Sequence, residues 1–292
     1  MRVPNINMQR LTLEGIQSNL REVERATGEI VSGRRVSAPS DDPAAARSIM
    51  RTNAGLQAND QFLRNMSRVN SFLAMEDVVL SQLGDVLTRG RELALSQGGS
   101  TASAATRETA ARELRELMAF VQDLGNTRVG ERYLFGGAQS TTPPFAAGST
   151  SAAPLPTGAS PVEIGPGRTL VPNRSAREIF GDTGALAALE ELAQALDAND
   201  PESIRGAQVT LSRAFDQVQV LVGELGGRMN RLDLAASRSA DLELNLVEYR
   251  SDLEDVDFEE AISRLSNRQA AYQAALLATS RIMSVNLTDY LR

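Results

Sequence analysis

Three groups of carboxylates in this 292-residue chain stand close enough in sequence to invite chemistry: Asp41 beside Asp42 in SGRRVSAPSDDPAAA, Glu190 beside Glu191, and the run DLEDVDFEE at 252–260. Two neighbouring carboxylates could divide the roles of general acid and general base, as glycoside hydrolysis requires, with Glu190 and Glu191 or Asp255 and Asp257 as the pair. The acidic run could also offer oxygen ligands to calcium. None of the groups carries the rest of a site. The run has no glycine and lacks the spaced D-x-D-x-D-G order of a calcium loop. The chain has no Cys, no His and no Trp, which removes thiol nucleophiles, imidazole bases and the usual zinc ligands. Gly226-Gly227 in GELGGRMNRL follows no strand and lacks GK[ST] context, so it reads as a kink or hinge and not as a phosphate loop. The expectation is a chain that is not an enzyme, with no catalytic residue, no cofactor and no metal.

The same acidic residues read well as punctuation between helices. Asp42 followed by Pro43 fits a helix start: the carboxylate accepts from unpaired backbone N–H groups, and proline at the first helical position gives up no hydrogen bond. Pro39 keeps Ala38 extended, so the segment forms a corner with Asp42 and Pro43 as its cap. Asp257 with Glu260 three residues later resembles a capping box that opens the last helix.

The helices being punctuated are long. Leu13, Ile16, Leu20, Val23 and Ile30, with Thr27 in a polar slot, alternate steps of three and four, which is a heptad seam. Ile262, Leu265, Gln269, Tyr272, Leu276, Thr279 and Met283 repeat the pattern at the other end. The two ends therefore predict two strips of a coiled coil, antiparallel or parallel. Between 43 and 98, Leu56, Leu63, Met66, Leu73, Leu80, Leu83 and Leu87 carry a helical pattern with no proline after Pro43. A helix of that length would reach about 80 Å. Further patterns run from Arg107 to Leu124 and from Pro201 to Leu253, the latter through Ile204, Leu211, Val218, Leu221, Leu225 and Leu232. The centre, 138–173, is dense in Pro, Gly, Ser, Thr and Ala and predicts loop with short strands. Val162–Ile164 and Thr169–Val171 flank Gly165-Pro166-Gly167 as a hairpin, RYLFGG at 132–137 suggests a second, and Ala185 to Leu196 gives a short helix.

Charge narrows the partners. The net charge of -7 repels nucleic acid and anionic lipid. All 30 basic residues are Arg, which we read as coding bias. Nothing resembles a membrane span, and MRVPNINMQR lacks the apolar stretch of a cleaved signal peptide.

SGRRVSAPSDDPAAA closely resembles the N-terminal signature shared by bacterial flagellins and the flagellar hook-associated protein 3, or hook-filament junction, family. RYLFGGAQSTTPPF at 132–145, GELGGRMNRLDLA at 223–235 and the C-terminal stretch 254–292 ending NLTDYLR are similar to the junction family and not to flagellin proper. The resemblance implies a mainly α protein: an elongated coiled-coil and helical-bundle rod formed by both chain ends, with a small β-containing central insertion. It implies three domains, an inner coiled-coil domain of 1–42 with 254–292, a helical rod of 43–137 with 201–253 bearing a β-hairpin near 132–145, and a small variable outer domain of 138–200. It implies an extracellular structural protein of the bacterial flagellum, exported through the type III apparatus without a cleaved signal peptide. The partners implied are other copies in a ring, a neighbouring hook-associated protein, flagellin on the filament side, and an export chaperone at the C-terminal region. The assembly seam would be Leu13, Ile16, Leu20, Val23, Ile30, Ile262, Leu265, Tyr272, Leu276 and Met283. The alternatives are a short flagellin forming the filament itself, a carboxylate enzyme, and a signalling coiled coil, the last lacking any visible anchor or output domain.

One physical expectation accompanies the resemblance. A lone terminal helix buries too narrow a stripe to offset the entropy of ordering its backbone, and pairing the two ends still leaves flanks such as Val31, Leu277 and Ile282 uncovered. Folding of the ends is then coupled to assembly.

Overall fold

The computed structural model describes the backbone of residues 3–99, 102–146 and 155–290, and side chains within 10–281 of that range. Six α-helices dominate: α1 (Val3–Ser32), α2 (Pro43–Gln97), α3 (Ala104–Gly125), α4 (Ala185–Asp197), α5 (Pro201–Glu254) and α6 (Phe258–Tyr290). Between α3 and α4 lie two small antiparallel hairpins, β1 (Arg128–Val129) with β2 (Arg132–Tyr133) and β3 (Val162–Gly165) with β4 (Arg168–Leu170). A five-residue π-helical turn, Arg177–Gly181, precedes α4. The chain is thus mainly α with a small β-containing middle.

Helix boundaries follow from local chemistry. Asp42 Oδ1 accepts from the N–H groups of Ala44 and Ala45, both at 3.0 Å, and Pro43 opens α2. Asp200 and Pro201 repeat the device at α5: Oδ1 accepts from Glu202 N at 3.0 Å and Oδ2 from Ser203 N at 3.3 Å. Ser103 caps α3 through Thr106 N, and Asp257 caps α6 through the N–H groups of Glu259 and Glu260. At the end of α1, Gly33 takes φ +70°, the left-handed conformation that commonly closes a helix. Helix α5 runs unbroken through Gly226-Gly227, so the glycines do not end it. Each costs some helix propensity, which the packed residues on either side outweigh.

The backbone forms two compact units, residues 1–58 with 242–292 and residues 59–241. In the second unit, leucines 73, 80, 83 and 87 of α2 pack with Leu114 and Val121 of α3, Leu189, Leu192 and Leu196 of α4, and Ile204, Leu211, Val218 and Leu225 of α5. Phe135 and Phe145 each meet Phe180 edge to face, with ring centroids 5.6 and 5.5 Å apart. Gly125 lies under this cluster, where a Cβ would stand 2.1 Å from the Phe145 ring. The β3–β4 hairpin turns at Pro166-Gly167 as its sequence predicts. The other hairpin closes on the upstream side: Arg132-Tyr133 pairs back across Gly130-Glu131 with Val129 and Arg128, while Leu134 and Phe135 go into the core. Gly136-Gly137 forms a separate turn, with Gln139 N donating to Gly136 O.

In the first unit α1 and α6 pack antiparallel. Glu29 pairs with Arg264 at 3.3 Å and Glu22 with Arg268 at 3.7 Å, so α6 advances as α1 recedes. Where the two helices meet the rest of the unit, the strands between them are sewn together: Arg35 N donates to Glu254 O at 2.7 Å and Val256 N to Gly33 O at 3.0 Å.

Candidate assembly surface

Seam residues named from sequence divide into two sets. Ile16, Val23 and Ile30 of α1 and Leu265 and Tyr272 of α6 are half-buried in the contact between the two helices. Leu13 and Ile262 are 57% and 56% exposed, and Leu20 and Leu276 are also exposed. Met283 lies outside the described side chains. Asn19 and Ala26 of α1 and Ala261, Ala275 and Thr279 of α6 are likewise half-buried or buried. Ala26 and Ala261 are the most buried of these. Thr27, the polar slot of the heptad seam, is exposed and donates to its own helix at Val23 O, 2.8 Å away.

The outcome is a terminal helix pair with apolar side chains left over. Leu11, Leu13, Leu20 and Val31 on α1 and Phe258, Ile262, Leu276 and Leu277 on α6 are exposed large hydrophobics. Scattered exposed apolar residues are ordinary; a series recurring along two packed helices is the mark of a surface that something else covers.

The corner residues are occupied by the backbone. Asp41 Oδ2 accepts from Ala38 N at 2.8 Å and Ser37 N at 3.1 Å, folding the 37–41 loop on itself. Those N–H groups, that of Ala38 foremost, hold its carboxyl below the usual range. Asp42 is lowered in the same way, first by the Ala45 N–H, then by that of Ala44 and by Arg35, whose guanidinium is 3.7 Å away. The carboxylates of this pair therefore serve separate backbone sites. Glu190 and Glu191, consecutive on α4, point about 100° apart around the helix and do not face each other. Asp255 accepts from Ser251 Oγ, and Asp257 is the α6 cap. Among the described residues no three acidic side chains converge as metal ligands.

A buried charge cluster escaped the sequence reading. Arg174, from the segment after β4, is almost fully buried between helices, with Nη1 2.8 Å from Glu76 of α2 and Nη2 2.5 Å from Glu224 of α5. Burial raises the Glu76 carboxyl above its ordinary value more strongly than Arg174 lowers it. Arg228 of α5 lies nearby, its guanidinium lowered by burial and then by the like charge of Arg174. No local pattern marks Arg174, because its partners are 98 and 50 residues away. Asp200 had a signal, since Asp200-Pro201 repeats the Asp42-Pro43 dipeptide.

Comparison with known proteins places this architecture. Residues 3–140 match the bacterial flagellin N-terminal helical region, and residues 210–291 match the bacterial flagellin C-terminal helical region. The flagellar hook-associated protein 3 of Escherichia coli K12 is 25% identical over 315 aligned positions, which cover 98% of each chain. Two solved structures share the fold. A flagellar hook-associated protein from Vibrio parahaemolyticus superposes with a TM-score of 0.66 at 20% identity, covering 74% of this chain and all of that one. The flagellar junction protein of Legionella pneumophila does so with a TM-score of 0.58 at 14% identity, covering 73% and all respectively.

Proposed function

Because the chain belongs to the bacterial flagellin family, we propose that it is a hook-filament junction adaptor, a structural subunit of the flagellum. That family is one of flagellar structural proteins and not of enzymes. It assembles with other flagellar components. Among the described residues no helix is long and apolar enough to cross a membrane.

The observation that carries the reading is the set of apolar side chains left outside the closed α1–α6 pair, with Leu13, Leu20, Ile262 and Leu276 at its centre. Residues 1–42 with 254–292 act as the inner assembly domain, 43–137 with 201–253 as the rod, and 138–200 as the outer insertion. Copies form a ring whose terminal helices finish their burial against one another, one side meeting a hook-associated protein and the other flagellin. The subunit leaves the cell through the flagellar type III apparatus, its C-terminal region held beforehand by a chaperone. Folding of the ends is coupled to docking because the last burial comes only from neighbours.

Deletion of the gene tests the reading. Cells lacking the subunit are expected to keep hooks and shed filament protein into the medium. Loss of the filament protein's own synthesis, with nothing shed, would instead favour the short-flagellin alternative, whose copy number per flagellum is that of a filament. The match over 98% of both chains is to a hook-associated protein, which favours the junction role.

A further inference from the structure

The second unit carries a cleft of about 570 Å³ between α2 and the hairpins. Its floor is apolar, with Val69 and Phe72 of α2 facing Val129 and Val162 from the hairpins. Its rim holds Arg68 and Arg132, both exposed, and neither guanidinium is in an ion pair or hydrogen bond among the described residues. Glu131 is the one carboxylate in the lining, so the cleft is locally positive on a chain whose net charge is -7.

A complementary feature stands at the start of α6. Phe258 is 53% exposed, and Asp255, Asp257, Glu259 and Glu260 around it are exposed as well. The Asp257 carboxylate is taken up by backbone N–H groups, and Glu260 approaches Arg264 at 3.9 Å. The Glu259 carboxylate has no hydrogen-bond or ion-pair partner among the described residues. An aromatic anchor with a free carboxylate beside it suits an apolar floor with a cationic rim.

We infer that the Phe258 turn of a second copy docks in this cleft, its ring on Phe72 and its Glu259 toward Arg68 and Arg132. The inference rests on the reading that copies of the chain assemble with one another. Two copies of a chain this acidic repel at most surfaces, and here opposite charges meet. The two patches differ, so the contact is heterologous: repeated, it closes a ring or extends a helix and does not stop at a dimer.

The absence of cysteine from the chain makes the test direct. Full-length Ser160→Cys, on the cleft lining, and Ser263→Cys, one turn beyond Glu259, are mixed and oxidised. Disulfide heterodimer is expected well above the yield from Ser263→Cys with the control Ser237→Cys. Adding Arg68→Glu and Arg132→Glu to the cleft copy should lower the yield roughly tenfold, and Glu259→Arg on the other copy should restore part of it. Equal yields from test and control pairs, or indifference to the charge swap, would overturn the contact. Capture of a different flagellar protein by Ser160→Cys would overturn the choice of occupant. If cross-linking fails while the deletion strain still sheds filament protein, the docking contact falls and the junction role stands.

Discussion

Asp42, Asp200 and Asp257 each spend their carboxylates on the first turn of a helix, and the first two carry a pH signature. Their folded values lie below the ordinary 3.8, chiefly because the Ala45 N–H bonds Asp42, and because Ser203 Oγ and then Glu202 N bond Asp200. Stability from such groups is present above the unfolded value and is lost as pH falls through the folded one. Asp42→Asn and Asp200→Asn keep a capping oxygen but do not titrate. Chemical denaturation of the double variant should show a shallower loss of stability below pH 3.8 than the parent. Glu76 has the opposite sign. Its folded value is raised above 4.5, so its favourable contribution is complete below 4.5 and is lost as pH rises through the folded value. Glu76→Gln should therefore flatten the decline on the alkaline side of pH 4.5. Arg174→Met, which leaves Glu76 buried without its nearest partner, should cost about 3 kcal/mol at neutral pH by urea titration.

At the scale of the element, α1 and α6 each have two uses for their apolar residues. One stripe, marked by Ala26 and Ala261, closes the pair within the chain; the other, with Leu20 and Leu276, stays exposed. Leu20→Asp or Leu276→Asp is thus expected to leave the thermal unfolding of residues 59–241 unchanged and to abolish incorporation into flagella. Normal filament attachment in either variant would refute the assembly surface. The same economy appears at the π-helical turn, where Ser175 N and Oγ both donate to Glu178 Oε2 at 2.7 Å and so hold the segment that presents Arg174. Replacing Glu178 by Gln should loosen that segment and speed amide exchange at 174–180, leaving α5 protected.

For the whole molecule, the junction reading makes a quantitative demand. Mass spectrometry of purified hook-filament preparations should find this chain at a small, fixed ratio to hook-associated neighbours and far below flagellin. Parity with the filament subunit would move the assignment to the filament itself.

Much of this was legible from the residues. Long helices, the Asp42 corner, the β3–β4 hairpin and α4 follow from periodicity, caps and turn residues, all of which act within a few positions along the chain. Tertiary structure alone decided which face of each terminal helix closes the pair, because Ile16 and Leu20 are equally apolar and only packing against the other helix leaves Ile16 half-buried and Leu20 exposed. It also decided that Arg174 would sit between Glu76 and Glu224, a contact between residues far apart in sequence that no local pattern encodes. Hydrophobic spacing specifies that a helix has a buried side. Packing against the other helix selects which side that is.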